Sequence, residues 1–256
     1  MELMNDEIPI VERGQFVSPV DAVFEPYTWG DYLAHLVPAK RKQFEGFQKI
    51  VNEGKLFREK DVTFNCFIKK EKMVSMTVNG CGFDRPRMIS GCSKWTKYIA
   101  ALWFYNYGCA LKLVWHIDNW IWYCSGALTD DFNRWITITI KVTPGTILYF
   151  FTDFSKYDVT QGLLAITREV AWYRKLGFAR NVPYGEVILQ SKLQGMCRAK
   201  QMLFSRPGTR KSGDLDTSSG NSKITGEAIG LFFKIHALKT AQGWQSWAMT
   251  ISVLLP

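Results

Sequence analysis

"GTRKSGDLDTSSGNS", residues 208–222, decides how this chain is read. Gly208, Gly213 and Gly220 permit backbone conformations and close approach that other residues resist. Ser212 and Thr217 add hydroxyls, and Asn221 an amide that both donates and accepts. Beside Arg210 and Lys211, such a composition fits a flexible linker, a phosphate-binding loop or part of a polymerase site. The linker reading fails because a helical pattern starts inside the stretch: from Asn221, Ile224, Ala228, Leu231 and Ile235 mark one face. A Walker loop is excluded, since "RKSG" lacks the glycine before the lysine and the proper upstream glycine.

Working outward, "GLLAITREVAWYRKLG" reads as a helix stopped by Gly177. Before it, "GTILYFFTDFSKYDVT" holds a β-branched and aromatic run over residues 146–151, bounded by Pro144 and Gly145, which predicts a buried strand. The strand ends at Asp153, with Asp158 beyond it. A carboxylate at a buried strand tip is where α/β architectures place metal or phosphate chemistry, and Asp153 suits a hard cation such as Mg2+. The same D-x4-D spacing also fits a solvated loop.

Further upstream, "DVTFNCFIKKEK" predicts a strand running into a charged loop, and "DRPRMIS" from Asp84 resumes as a strand after a turn near residues 80–82. Lys69, Lys70, Lys72, Arg85 and Arg87 on two neighbouring strands make a concentrated cationic surface. Arginine grips phosphate in bidentate fashion and lysine acts as a point charge, which suits a triphosphate or a nucleic-acid backbone. A solvated sheet edge has the same composition. Phe44, Phe47 and Ile50 predict a helix from Ala39 that stops near Gly54, and residues 93–109 fit another. Pro9, Pro19, Pro26 and Pro38 among aromatic residues make the first forty residues read as an extended, covering segment. "SWAMTISVLL" reads as a final strand.

The chain has 256 residues, 47% hydrophobic and 21% charged, enough to bury a core and too apolar for a disordered protein. Its net charge of +9 favours a polyanionic partner, nucleic acid or an acidic membrane surface. The six cysteines form no C-x-x-C pair and none stands at zinc spacing to a histidine, so no zinc is expected. The most apolar region, residues 99–124, is broken by Lys112, His116 and Asp118; it falls short of a membrane span and is expected as a buried helix pair.

Each signal is weak by itself, but their order is informative. A basic strand pair, a strand-end D-x4-D, a helix, then S-G-x3-T-x3-N opening another helix resembles the viral RNA-directed RNA polymerases, in particular the tombusvirus- and nodavirus-like branch of positive-strand RNA viruses. "FIKKEK" with "RPRMIS" is similar to fingers motif F, "DFSKYD" to palm motif A, and "SGDLDTSSGN" to motif B. The likeness covers roughly residues 67–256, and motif B is its most specific part.

The resemblance implies an α/β right-hand polymerase fold: fingers plus a partial palm, a central antiparallel sheet packed on helices, and no thumb. It places fingers with an N-terminal extension at 1–145, palm at 146–160, a fingers insertion at 161–205 and palm again at 206–256. It implies Asp153 as catalytic metal ligand for Mg2+ or Mn2+. Asp158 and Asn221 would sense the ribose 2′-hydroxyl, the atom that separates RNA from DNA substrates, with Thr217 one turn earlier on the same helix face. Ser212 and Gly213 would position template and nucleotide. Lys69, Lys72 and Arg87 would neutralise the triphosphate, and Lys70, Arg85 and Lys94 would contact RNA. The implied partners are template and nascent RNA, ribonucleoside triphosphates and a membrane-associated replication complex in the host cytoplasm.

Two departures stand out. Cys92 lies where relatives often carry a second arginine, and Lys94 would substitute without bidentate geometry. The Gly-Asp-Asp motif C expected after the last strand is missing, because the chain stops at Pro256 on apolar residues. The expectation is a fragment of a longer or divided polymerase, inactive alone. A reverse transcriptase-like polymerase and a non-enzymatic RNA-binding protein remain alternatives.

Overall fold

The computed structural model describes residues 27–53, 57–69, 87–117, 122–142 and 157–239. The chain is mixed α/β and divides into two compact units, residues 36–101 with 156–217, and residues 1–35 with 102–155 and 218–256. The strands predicted at 146–151 and 246–255 lie outside the described residues, as do Gly54, Asp153, Lys70, Lys72 and Arg85.

The unit of residues 36–101 and 156–217 is built on a four-stranded mixed sheet in the order β2-β1-β3-β4. Its strands are β1 (Phe64–Ile68), β2 (Met88–Gly91), β3 (Met196–Ala199) and β4 (Met202–Ser205). β1 runs antiparallel to β2, with Cys66 opposite Ser90 and Phe67 opposite Ile89, and parallel to β3, with Phe64 opposite Cys197. β3 and β4 form an antiparallel hairpin, Cys197 opposite Phe204. Side chains alternate across a strand, so this register sends Phe64, Ser90 and Cys197 to an inner, buried face. There Phe64, Cys92 and Cys197 form a core with Cys66, Phe204 and Leu215.

Helices make up the rest of the unit. Pro38–Asn52 carries Phe44 and Phe47 at the predicted spacing, and their rings meet Tyr98 and Trp95. Farther along come Leu163–Lys175, Phe178–Asn181 and Gly185–Gln194, packed on one another. The first of these stops as predicted: Gly177 adopts φ +84, a left-handed conformation that a Cβ disfavours. Ile166, Val170, Tyr173, Phe178, Ile188 and Leu189 are among the buried side chains of the trio.

In the unit of residues 1–35, 102–155 and 218–256, the segment expected to be extended holds a helix, Trp29–His35. Its cause is local: the Thr28 N–H donates to the Asp31 carboxylate and the Asp31 N–H to the Thr28 hydroxyl, a reciprocal capping box. Tyr27, Tyr32 and Tyr105 cluster beside it. The apolar region 99–124 is not a helix pair among the described residues. One helix, Lys94–Val114, ends there, and the Tyr123 N–H returns to the Trp115 carbonyl at 2.9 Å, so the chain doubles back. Trp122, Trp135, Ile117 and Cys124 form a second small core, to which helix Thr129–Val142 contributes Trp135. The longest helix, Thr217–Lys239, packs Gly226 against Trp115, leaving 2.8 Å between the ring and the place of a Cβ.

Candidate nucleotide and RNA site

Residues 206–216 connect β4 to helix Thr217–Lys239, and most of their polar groups turn inward. Arg210 and Lys211 are buried rather than offered to a phosphate. The Arg210 guanidinium makes a bidentate pair with Glu169, 2.7 Å on each arm, and also reaches Gln161 at 3.1 Å and Asp216 at 3.2 Å. Asp216 accepts from the Tyr173 hydroxyl and from Lys192, both at 2.9 Å, and Lys192 also pairs with Asp214. Burial would raise the Asp216 carboxyl, but the charges of Lys192 and Arg210 and the bonds from Lys192 and Tyr173 outweigh it and hold it at about 2.

Lys211 closes the turn before the network. Its ammonium donates to the carbonyls of Arg206 and Thr209, each at 2.7 Å, and lies over the Phe64 ring. Burial, with the charges of Arg206 and Lys192 adding to it, lowers its pKa to about 8.

The rest of the loop is stitched to the basic strands and to the segment that follows Asp153. The Gly213 N–H donates to the Ser90 carbonyl at 3.0 Å, Gly213 bridges Gly91, and the Ser212 hydroxyl accepts from the Ser90 N–H at 3.4 Å. β2 is therefore flanked by β1 on one edge and by Ser212 and Gly213 on the other. The Arg210 N–H donates to the Asp158 carbonyl at 3.0 Å. Lys69 and Arg87 face each other where β1 ends and β2 begins, joined by a 2.9 Å bond from the Lys69 N–H to the Arg87 carbonyl. Asp158, Ser212 with Gly213, and Lys69 with Arg87 thus lie in one unit, whereas Asn221 belongs to the other and Asp153 lies outside the described residues.

Alternation along β1 and β2 puts Asn65, Phe67, Lys69, Arg87, Ile89 and Gly91 on the outer face of the sheet, and the β3 and β4 register adds Arg198 and Leu203. Phe67 is 55% exposed there and Leu203 56%. Beside Gly91, the place of a Cβ lies 3.8 Å from the Phe67 ring, 3.9 Å from the Lys97 ammonium and 3.6 Å from the Gly213 carbonyl. Phe67, Lys97 and Arg198 are not among the residues singled out from sequence. Strand parity from "FNCFI" puts Phe67 in line with Lys69, but the parallel pairing that adds Arg198 has no local signal. Lys94 is exposed at the start of its helix.

The remaining expected residues divide. The Thr217 hydroxyl lies 3.0 Å from the Asp214 carbonyl and 3.1 Å from that of Lys211, so its proton serves the loop. Asn221 is buried on the helix that Thr217 opens. Asp158 opens no long helix; it sits in the one-turn helix Tyr157–Thr160. Among the described residues no group of three or more His, Cys, Asp or Glu is arranged to hold a metal ion. These residues do not by themselves fit a metal centre. In comparison with known proteins, no family model, curated protein or solved structure matches this chain.

Proposed function

We propose that the chain supplies fingers and palm residues of a viral RNA-directed RNA polymerase, in a right-hand fold that copies RNA from ribonucleoside triphosphates. The observation carrying this reading is the meeting of motif-like segments: Ser212 and Gly213 seated on β2, whose first neighbour is Arg87, with the Asp158 carbonyl bonded to Arg210. Phosphoryl transfer depends chiefly on positioning and charge neutralisation. In this reading Lys69 and Arg87 neutralise the triphosphate, and Ser212 and Gly213 hold template and nucleotide at the edge of β2. Asp158 and Asn221 each keep the role in ribose selection that the resemblance implies. Lys94 and the outer sheet face take RNA. Lys70, Lys72, Arg85 and the metal ligand Asp153 keep their proposed roles, although they lie outside the described residues. Replication on a host cytoplasmic membrane belongs to the same proposal.

The test is equilibrium binding of ATP and dATP to the chain, with labelled single-stranded RNA measured in parallel. A preference for ATP that Asn221→Ala reduces, and weaker triphosphate binding in Lys69→Ala and Arg87→Ala, support the reading. Equal or better binding of dATP would point to a reverse transcriptase-like polymerase. RNA binding without triphosphate binding would make the chain an RNA-binding module, a second reading favoured by the exposed Phe67 among Lys69, Arg87, Lys97 and Arg198.

A further inference from the structure

Residues 206–216 carry Ser212 and Gly213, yet their apolar side chains are only Pro207 and Leu215. Hydrophobic burial therefore has little to hold this loop by, and charged groups enter the interior instead. Side-chain exposure is 2% for Arg210, 1% for Glu169, 0% for Asp216, and 5% for both Lys192 and Asp214. Arg210, Asp214 and Asp216 belong to the loop; Glu169 comes from helix Leu163–Lys175 and Lys192 from helix Gly185–Gln194. Tyr173, one turn beyond Glu169, bonds the same Asp216.

Buried ion pairs add little net stability, because desolvation offsets their attraction, and apolar replacements of similar volume are often neutral or stabilising. Their distinctive property is direction. A planar guanidinium forked onto one carboxylate accepts a single orientation, and Arg210 is two residues from Ser212. The main chain at Arg210 is also fixed, through its N–H, to the Asp158 carbonyl.

We infer that the Glu169–Arg210–Asp216–Lys192 cluster is a positioning device. It sets Ser212 and Gly213 against β2, while the sheet is held by the apolar core of Phe64, Cys92 and Cys197, which the loop joins through the single side chain of Leu215. Arg210, Glu169, Asp216 and Lys192 are thus positioning residues for the proposed nucleotide site. Its effect on nucleotide binding rests on the polymerase reading; its effect on loop order does not.

Amide hydrogen exchange of the full chain separates these claims. Single truncations leave an unpaired buried charge and are prone to unfold, so the informative variant removes a pair: Glu169→Leu with Arg210→Met. The expected result is exchange at least tenfold faster at residues 208–216, with β1, β3 and helix Gly185–Gln194 as protected as in the wild type. Arg210→Lys, which keeps charge but not the fork, should loosen the loop by a smaller factor. Unchanged loop protection in the folded double variant would overturn the inference, and so would protection lost evenly across sheet and helices. Binding of N-methylanthraniloyl-ATP supplies the second arm. At least fivefold weaker binding in the double variant supports the site role, and wild-type affinity despite a loosened loop overturns it. If the wild type itself binds no triphosphate, the polymerase reading fails and the exchange data alone decide the positioning claim.

Discussion

At Gly213 a Cβ would sit 2.9 Å from the Gly91 Cα, 2.9 Å from the Ile89 Cγ2 and 3.2 Å from the Gly91 nitrogen. Two of these atoms are backbone and cannot yield without moving β2. Gly213→Ala should therefore lower stability by about 1–3 kcal/mol, the usual range for overpacking, read as a lower urea midpoint. It should also speed exchange of the Gly213 amide. Its neighbour Ser212 keeps a side chain because its hydroxyl points to the Ser90 N–H. Phe67 presents the opposite case. More than half exposed, its ring adds little to the core, so Phe67→Ala should leave thermal stability within about 0.5 kcal/mol of wild type. Single-stranded RNA affinity should fall by about 1–3 kcal/mol, the range for a base stacked on an aromatic ring. Unaltered RNA affinity in that variant would remove Phe67 from the interface. Arg210 and Lys211 show how far residue type alone misleads. Both look like phosphate ligands in the sequence, and both are buried partners of the protein's own oxygens.

The strand pair β1 and β2 is the element whose electrostatics can be measured directly. Lys69 and Arg87 stand opposite each other just beyond the paired residues, and each phosphate contact with single-stranded nucleic acid contributes about 0.7 to the slope of log K against log salt. Arg87→Ala should reduce that slope by about this amount and weaken binding evenly across RNA sequences. A sequence-selective loss would instead assign Arg87 to base recognition. Several elements were legible because their causes are local. Helical spacing of Phe44 and Phe47, alternation in "FNCFI", and Gly177 after an amphipathic run each act within a few residues. The capping box at Thr28 and Asp31, and Pro38 at a helix start, were equally local signals that the proline-rich composition obscured. The β3–β4 hairpin is different. Its turn uses Lys200 at φ +51 where glycine or asparagine normally marks such a turn, so the sequence carries no flag.

Across the molecule, Asp216 supplies one acid-sensitive part of the stability. Its folded-state pKa of about 2 lies below the ordinary 3.8 because Lys192, Arg210 and Tyr173 outweigh its burial. Its stabilising contribution is complete above the unfolded value and is lost as pH falls from near 4 towards 2, about 2 kcal/mol in total. Urea denaturation at pH 5 and pH 2.5 should show that difference shrink in Asp216→Asn; an unchanged acid response in the variant would remove Asp216 as its source. Lys211 acts with the opposite timing. With a folded value near 8 against 10.5 unfolded, its burial penalty is present below pH 8 and relieved as pH rises between these values. By itself the sequence determined the basic charge, the amphipathic helices, the alternating strands and the order of the motif-like segments, because each depends on composition or on neighbours a few residues apart. Only the tertiary structure decided that Ser212 and Gly213 lie along β2, that Arg198 joins the face of Phe67, and that Arg210 serves Glu169 instead of a ligand. Those outcomes depend on pairings across 41 to 133 residues, where the free energy of burying and matching charges, and not any local propensity, selects the partner.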